Sequence, residues 1–163
     1  MTFETRKIGT AVDAIAPDGS EVRLLCSTLH GSMACFRLAP SAVSNAVAHR
    51  TVEEIWYFTA GRGRIWRKLG DRVEITEVAP GVSITIPTDA QFQFRCEGGE
   101  PLEAVAITMP PWPGADEAYS IPGIWEPTVS ANGALFRIAE PPGKAYNPAM
   151  TAAEDRRKSW RTS

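Results

Sequence analysis

The sequence predicts an all-β domain, and three observations carry that reading. Thirteen glycines and thirteen prolines are spread through 163 residues, which leaves little room for long helices. Turn signals recur at the short spacing of a closed or double-sheet β domain. Between the turns lie short runs rich in β-branched and aromatic side chains, the composition that suits a pleated surface. The length is that of one domain, residues 1–163, with a barrel core over about 20–109 and a C-terminal arm over 110–163.

Taken in order, Pro17-Asp18-Gly19 is a turn in which proline presets one φ and glycine accepts a positive one, so a first hairpin leads into VRLLCS. His30-Gly31-Ser32 and Pro40-Ser41 bracket the strand MACFRLA, and SNAVAH follows as the next short run. EEIWYFTA, residues 53–60, is the clearest strand and ends at Gly61-Arg62-Gly63, a turn without the lysine and helix of a phosphate loop. RIWRKL and RVEITEV flank the hairpin signal Gly70-Asp71, and Pro80-Gly81 precedes VSITIP. QFQFRC and LEAVAITM bring the count to roughly nine or ten strands by Met109. Beyond it, Pro110, Pro111, Pro113, Pro122 and Pro127 oppose regular ladders and predict an arm that covers the barrel or reaches a partner subunit. Asn132-Gly133 signals one more hairpin, and Thr151 with Glu154 has capping-box spacing for a short helix over about 152–160.

Charge and cysteine usage bound the function. A net charge of −2 offers no field for a polyanion, so nucleic acid is not an expected partner. No apolar run approaches the roughly 20 residues that span a bilayer, so no membrane partner is expected either. Cys26, Cys35 and Cys96 are odd in number, irregularly spaced and without a CxxC pair or a charged-then-apolar leader, which predicts reduced thiols and a cytoplasmic location.

Residues 47–63, VAHRTVEEIWYFTAGRG, resemble the first motif of the cupin superfamily, small jelly-roll β-barrels. In that motif one strand carries two histidines two residues apart, followed by a glutamate, an aromatic strand and a glycine turn. Glu54 stands at the glutamate and His49 at the second histidine, while Val47 replaces the first. APGVSITIPTD, residues 79–89, is similar to the second motif through Pro80-Gly81 and Pro87, with Asp89 where glycine is usual and Gln91 or Phe92 where a histidine belongs. The resemblance runs from about Met33 to Met109 and implies a ligand site inside the barrel and a homodimer formed through edge strands.

It also implies a place for a metal. Alternation sends residues i and i+2 to one face, and three imidazoles with a carboxylate suit Fe, Mn, Ni or Zn. This chain has two histidines in all, His30 and His49, so a three-histidine site is impossible. Alternation leaves Asn45, Val47 and His49 on one inner face, Glu54, Trp56 and Phe58 on the next, and Gln91 or Phe92 on a third.

Three readings stay open. The leading one is an enzyme of lyase, isomerase or cyclase type that acts on a small organic metabolite, with His49 and Glu54 as acid and base. A metal-dependent oxygenase or lyase with a divalent ion on His49, Glu54 and Gln91 is the second. A non-catalytic binding or sensing module is the third, and in it the histidine and glutamate satisfy each other as a buried polar pair. For each, Trp56, Phe58 and Phe92 are the expected apolar pocket walls. Arg37, a guanidinium in an apolar strand, is a candidate anchor for a substrate carboxylate.

Overall fold

The computed structural model describes residues 3–129. They form eleven strands: β1 (Ala14–Ile15), β2 (Glu21–Ser27), β3 (Ser32–Leu38), β4 (Val47–His49), β5 (Glu53–Ala60), β6 (Gly63–Leu69), β7 (Arg72–Val78), β8 (Ser83–Ile86), β9 (Gln91–Cys96), β10 (Leu102–Met109) and β11 (Ala118–Ser120). Ten of them precede Pro110: β2 to β10 lie, to within a residue, inside runs expected from the sequence, and β1 is the first arm of the expected N-terminal hairpin. All pairings are antiparallel, in one sheet ordered β1-β2-β3-β10-β5-β8 and a second ordered β11-β4-β9-β6-β7. The helix expected over 152–160 and the hairpin at Asn132-Gly133 lie outside the described residues. Among those described, no helix is long and apolar enough to cross a membrane.

The pattern that predicts β5 also places it. Glu54, Trp56 and Phe58 are buried while Glu53, Ile55, Tyr57 and Thr59 face outward, the period of two expected of a strand with one face in the core. Inward residues of both sheets, including Leu38, Trp56, Phe58, Ile65, Phe92 and Phe94, form one continuous apolar core. At the β5–β6 turn Gly61 has φ 73°, and a Cβ on Gly63 would stand 2.1 Å from the carbonyl oxygen of Arg95, so β6 can reach β9 only with glycine there.

Two features at one end of the barrel shape the site. The first is a register shift between β2 and β3 over Leu24–Ser27, where the alternation is broken and the adjacent Leu24 and Leu25 both turn to the interior. The second is the arm, which departs from the expectation that its prolines exclude a ladder. The stretch between Pro113 and Pro122 is free of proline, and within it β11 pairs with β4, Ala118 opposite His49. Gln93 anchors the segment that follows, since its Nε2 donates to the carbonyls of Ser44 and Trp125 while its Oε1 accepts from the N–H groups of Ile124 and Trp125. A fully bonded buried amide of this kind holds a loop in place without an apolar core of its own.

Candidate functional site

A cavity of about 420 Å³ opens between the two sheets, within the range of small-molecule sites. Its walls come from the N-terminal hairpin, β2 to β5, β9, β10 and the start of the arm, which contributes Pro111 and Trp112. Most of the lining is apolar or aromatic: Phe36 stacks on Trp56 with ring centroids 5.4 Å apart, and Phe92 stands edge-on to Trp56 at 6.0 Å. Phe92 and Trp112 each stand near-perpendicular to the His49 ring, with centroids 5.2 Å from it.

Polar groups gather inside this lining. His49 reaches in from the end of β4 and Glu54 from the start of β5, and Nδ1 of His49 lies 4.0 Å from Oε2 of Glu54. That carboxylate oxygen accepts a hydrogen bond from Nε1 of Trp56 at 2.7 Å, whereas Nδ1 of His49 has no hydrogen-bond partner. Asp18, at the tip of the N-terminal hairpin, is also buried and lines the cavity. Its Oδ1 accepts from the backbone N–H and the hydroxyl of Ser20 at 2.8 and 2.6 Å. Asn45 holds the hairpin tip against the second sheet, its N–H donating to the carbonyl of Asp18 and its Nδ2 to that of Pro17. Arg6, Asp13, Ser27, Ser32 and Thr108 also line the cavity, and the last two bond to each other through their hydroxyls at 2.5 Å.

Burial sets the ionisation of these groups. Desolvation lowers the pKa of His49 to about 4, against a smaller raising effect of the Glu117 charge. Desolvation raises Glu54 to about 8, opposed by the Trp56 hydrogen bond and reinforced by the negative charges of Asp18 and Glu117. Asp18 is raised as well, again by burial, with the two Ser20 bonds opposing. Glu117 behaves differently: burial pushes it up, but hydrogen bonds from the N–H and hydroxyl of Thr51 and the N–H of Val52, together with His49, bring it below the usual value. At neutral pH the cavity therefore holds a neutral imidazole beside a protonated carboxyl.

Of the seven residues picked out by sequence, the fold brings four to the cavity: His49, Glu54, Trp56 and Phe92. Phe58 points inward but is fully buried in the core beyond the cavity. Arg37 faces out from β3 and pairs with Glu103 at 3.3 Å and Glu21 at 3.8 Å, so it is not placed to hold a ligand in the barrel. Gln91 does not line the cavity either, because alternation along β9 that turns Phe92 inward turns Gln91 away. Asp18, Thr108, Trp112 and Glu117 were not legible as site residues. Asp18 carries the signature of a turn, and the others depend on pairings between distant segments.

No protein-family model matches the chain, and no curated protein matches it in sequence. Solved structures do match in shape. A protein from Bacillus halodurans superposes with a TM-score of 0.52 at 20% identity over 61% of this chain and 76% of its own. An uncharacterized conserved protein with a double-stranded β-helix domain from Klebsiella pneumoniae gives 0.52 at 12% identity over 64% of this chain and 85% of its own. Oxalate decarboxylase from Bacillus subtilis gives 0.56 at 18% identity over 66% of this chain. This chain has the cupin fold. It spans 29% of the length of that decarboxylase, and the likeness extends to the fold alone.

The metal that the cupin fold implies is poorly served by the donors present. Val47 and Phe92 occupy inward positions where the cupin motifs place histidines, and Gln91 faces away. Among the described residues no group of three His, Cys, Asp or Glu side chains is arranged to hold a metal ion. One imidazole and one carboxyl, the latter already bonded to Trp56, are too few ligands for Fe, Mn, Ni or Zn.

Proposed function

We propose that this cupin barrel binds a small organic metabolite and that His49 and Glu54 act on it as base and acid. The observation that carries the reading is the 4.0 Å approach of Nδ1 of His49 to Oε2 of Glu54 inside a mostly apolar cavity, with Nδ1 unpartnered. A neutral imidazole accepts a proton and a protonated carboxyl gives one, and the opposed shifts of the two groups supply both forms at neutral pH. Because Oε2 already accepts from Trp56, the acidic proton of Glu54 belongs on Oε1.

The chemistry within reach is transfer of a proton from a carbon or hydroxyl of the ligand to His49, with Glu54 protonating the oxygen or carbon that gains the electron pair. That is the step shared by lyases, isomerases and cyclases of small molecules. Apolar walls strengthen it by excluding water.

The test is incubation of the protein with a cellular metabolite extract in deuterated water, followed by mass spectrometry. A metabolite that is consumed or takes up deuterium with the wild-type protein, and does neither with His49→Ala or Glu54→Gln, supports the reading. A metabolite that binds unchanged, with equal affinity for His49→Ala, would make the barrel a binding module instead.

A further inference from the structure

Three buried polar groups in the cavity keep hydrogen-bonding capacity that the rest of the described residues does not use. The Trp56 N–H is taken by Glu54, both Ser20 donors are taken by Asp18, and the Ser32 and Thr108 hydroxyls bond to each other. Oδ2 of Asp18 and Nδ1 of His49 are left as acceptors and Oε1 of Glu54 carries that group's proton, and no hydrogen bond within the described residues occupies any of them. His49 is only 4% exposed, so its unpartnered nitrogen is a buried acceptor that water does not readily satisfy.

The charge of the buried groups is one-sided. Asp18 is 4% exposed and has no ion-pair partner among the described residues, although buried carboxylates are as a rule paired. Arg6 is the one Lys or Arg side chain among the described residues that lines the cavity, and it is engaged with Glu4 at 2.8 Å. Among the described residues an anionic ligand would meet buried carboxyl groups with only the Glu4-engaged Arg6 to offset them. Phe36, Trp56, Phe92 and Trp112 add aromatic walls, which attract an organic cation electrostatically.

We propose that the ligand is an amine with an apolar body, its ammonium group seated on Oδ2 of Asp18 and its reacting part beside His49 and Glu54. An ammonium brings three donors and a positive charge, the complement of a buried carboxyl with one open oxygen and no ion-pair partner among the described residues. The Ser20 bonds to Oδ1 fix the Asp18 carboxyl and leave its other oxygen for the ligand. The inference rests on the cavity being the ligand site, but not on any turnover there.

Binding of three probes of one shape, benzylammonium, benzyl alcohol and benzoate, to the full chain at neutral pH tests it by calorimetry. Benzylammonium is expected to bind about tenfold or more tightly than the alcohol, with benzoate weakest. Asp18→Asn, which keeps an oxygen for Ser20, is expected to reduce benzylammonium binding about tenfold and to leave the alcohol unchanged. Benzoate binding as well as the amine, three equal affinities, or no benzylammonium binding at millimolar concentration would overturn the assignment. The probe ranking needs only the wild-type protein, so it decides the matter even where Asp18→Asn fails to fold. Amine binding without deuterium exchange would leave this inference standing and remove the acid–base one.

Discussion

Trp56 donates its indole N–H to the same oxygen of Glu54 that faces His49, at 2.7 Å, from the position two residues along β5. Strand alternation puts the two side chains on one face, and burial makes the bond matter. Replacing Trp56 by Phe keeps an aromatic wall and removes the donor. Glu54 is then expected to titrate above its present value of about 8, because the bond holds its pKa down. Carboxyl-carbon NMR of labelled Glu54 measures this, and the variant should lose about 1–3 kcal/mol of stability.

The opposed shifts of His49 and Glu54 predict a stability profile with a worked sign. Glu54 binds its proton more tightly folded than unfolded, so its contribution is complete below about pH 4.5 and is lost as pH rises to about 8. His49 binds its proton less tightly when folded, so its contribution grows as pH rises from about 4 to 6.5 and is constant above. Between pH 4.5 and 6.5 the two slopes oppose. From 6.5 to 8 only the decline remains, about 2 kcal/mol from Glu54 by linkage, and Asp18 adds to the loss where its raised pKa still lies in that range. Urea unfolding across this range should show the decline, and Glu54→Gln should flatten most of it. An unchanged profile in that variant would place the titrating group elsewhere.

Glu117 links the arm to the turn that carries both site residues. Its carboxylate accepts from the N–H and hydroxyl of Thr51 and the N–H of Val52, between β4 and β5. Glu117→Ala leaves the Val52 N–H buried without that partner and is expected to cost about 1–3 kcal/mol. The same variant should speed amide exchange at Thr51 and Val52 more than at the core strands.

Arg37→Ala tests the outward placement of that side chain. Its pairs with Glu21 and Glu103 are partly exposed, so the expected change in stability is under about 1 kcal/mol and the affinity of a cavity ligand should not change. A tenfold loss of affinity would return Arg37 to the site.

Elemental analysis of protein purified without added metal or a histidine tag should find every transition metal well below one per chain, because His49 and Glu54 lack a third donor among the described residues. Stoichiometric metal would show that a residue beyond those described completes the set.

Much of the fold was legible in the sequence because the signals are local. The turn at Pro17-Asp18-Gly19, the alternation in EEIWYFTA and the glycines at 61 and 63 each act over a few residues, and each falls where the structure needs it. The same period of two placed His49, Glu54 and Trp56 on the inner face. At Gln91 and Phe92 the motif left the register open by one residue, and a shift of one residue exchanges inside for outside. Packing of β9 between β4 and β6 chose Phe92. Gly114 to Ser120 was read through the prolines around it, and the pairing of β11 with β4 overrode that reading.

By itself, then, the sequence determined an all-β barrel with a single cavity histidine beside a glutamate, since composition, turn chemistry and strand period are properties of short stretches. The tertiary structure alone decided the environment of that pair. Asp18 comes from the N-terminal hairpin, Thr108 from β10, and Trp112 and Glu117 from the arm. The depressed pKa of His49 and the raised pKa of Glu54 follow from burial, a quantity that belongs to the packed whole and to no segment of the chain.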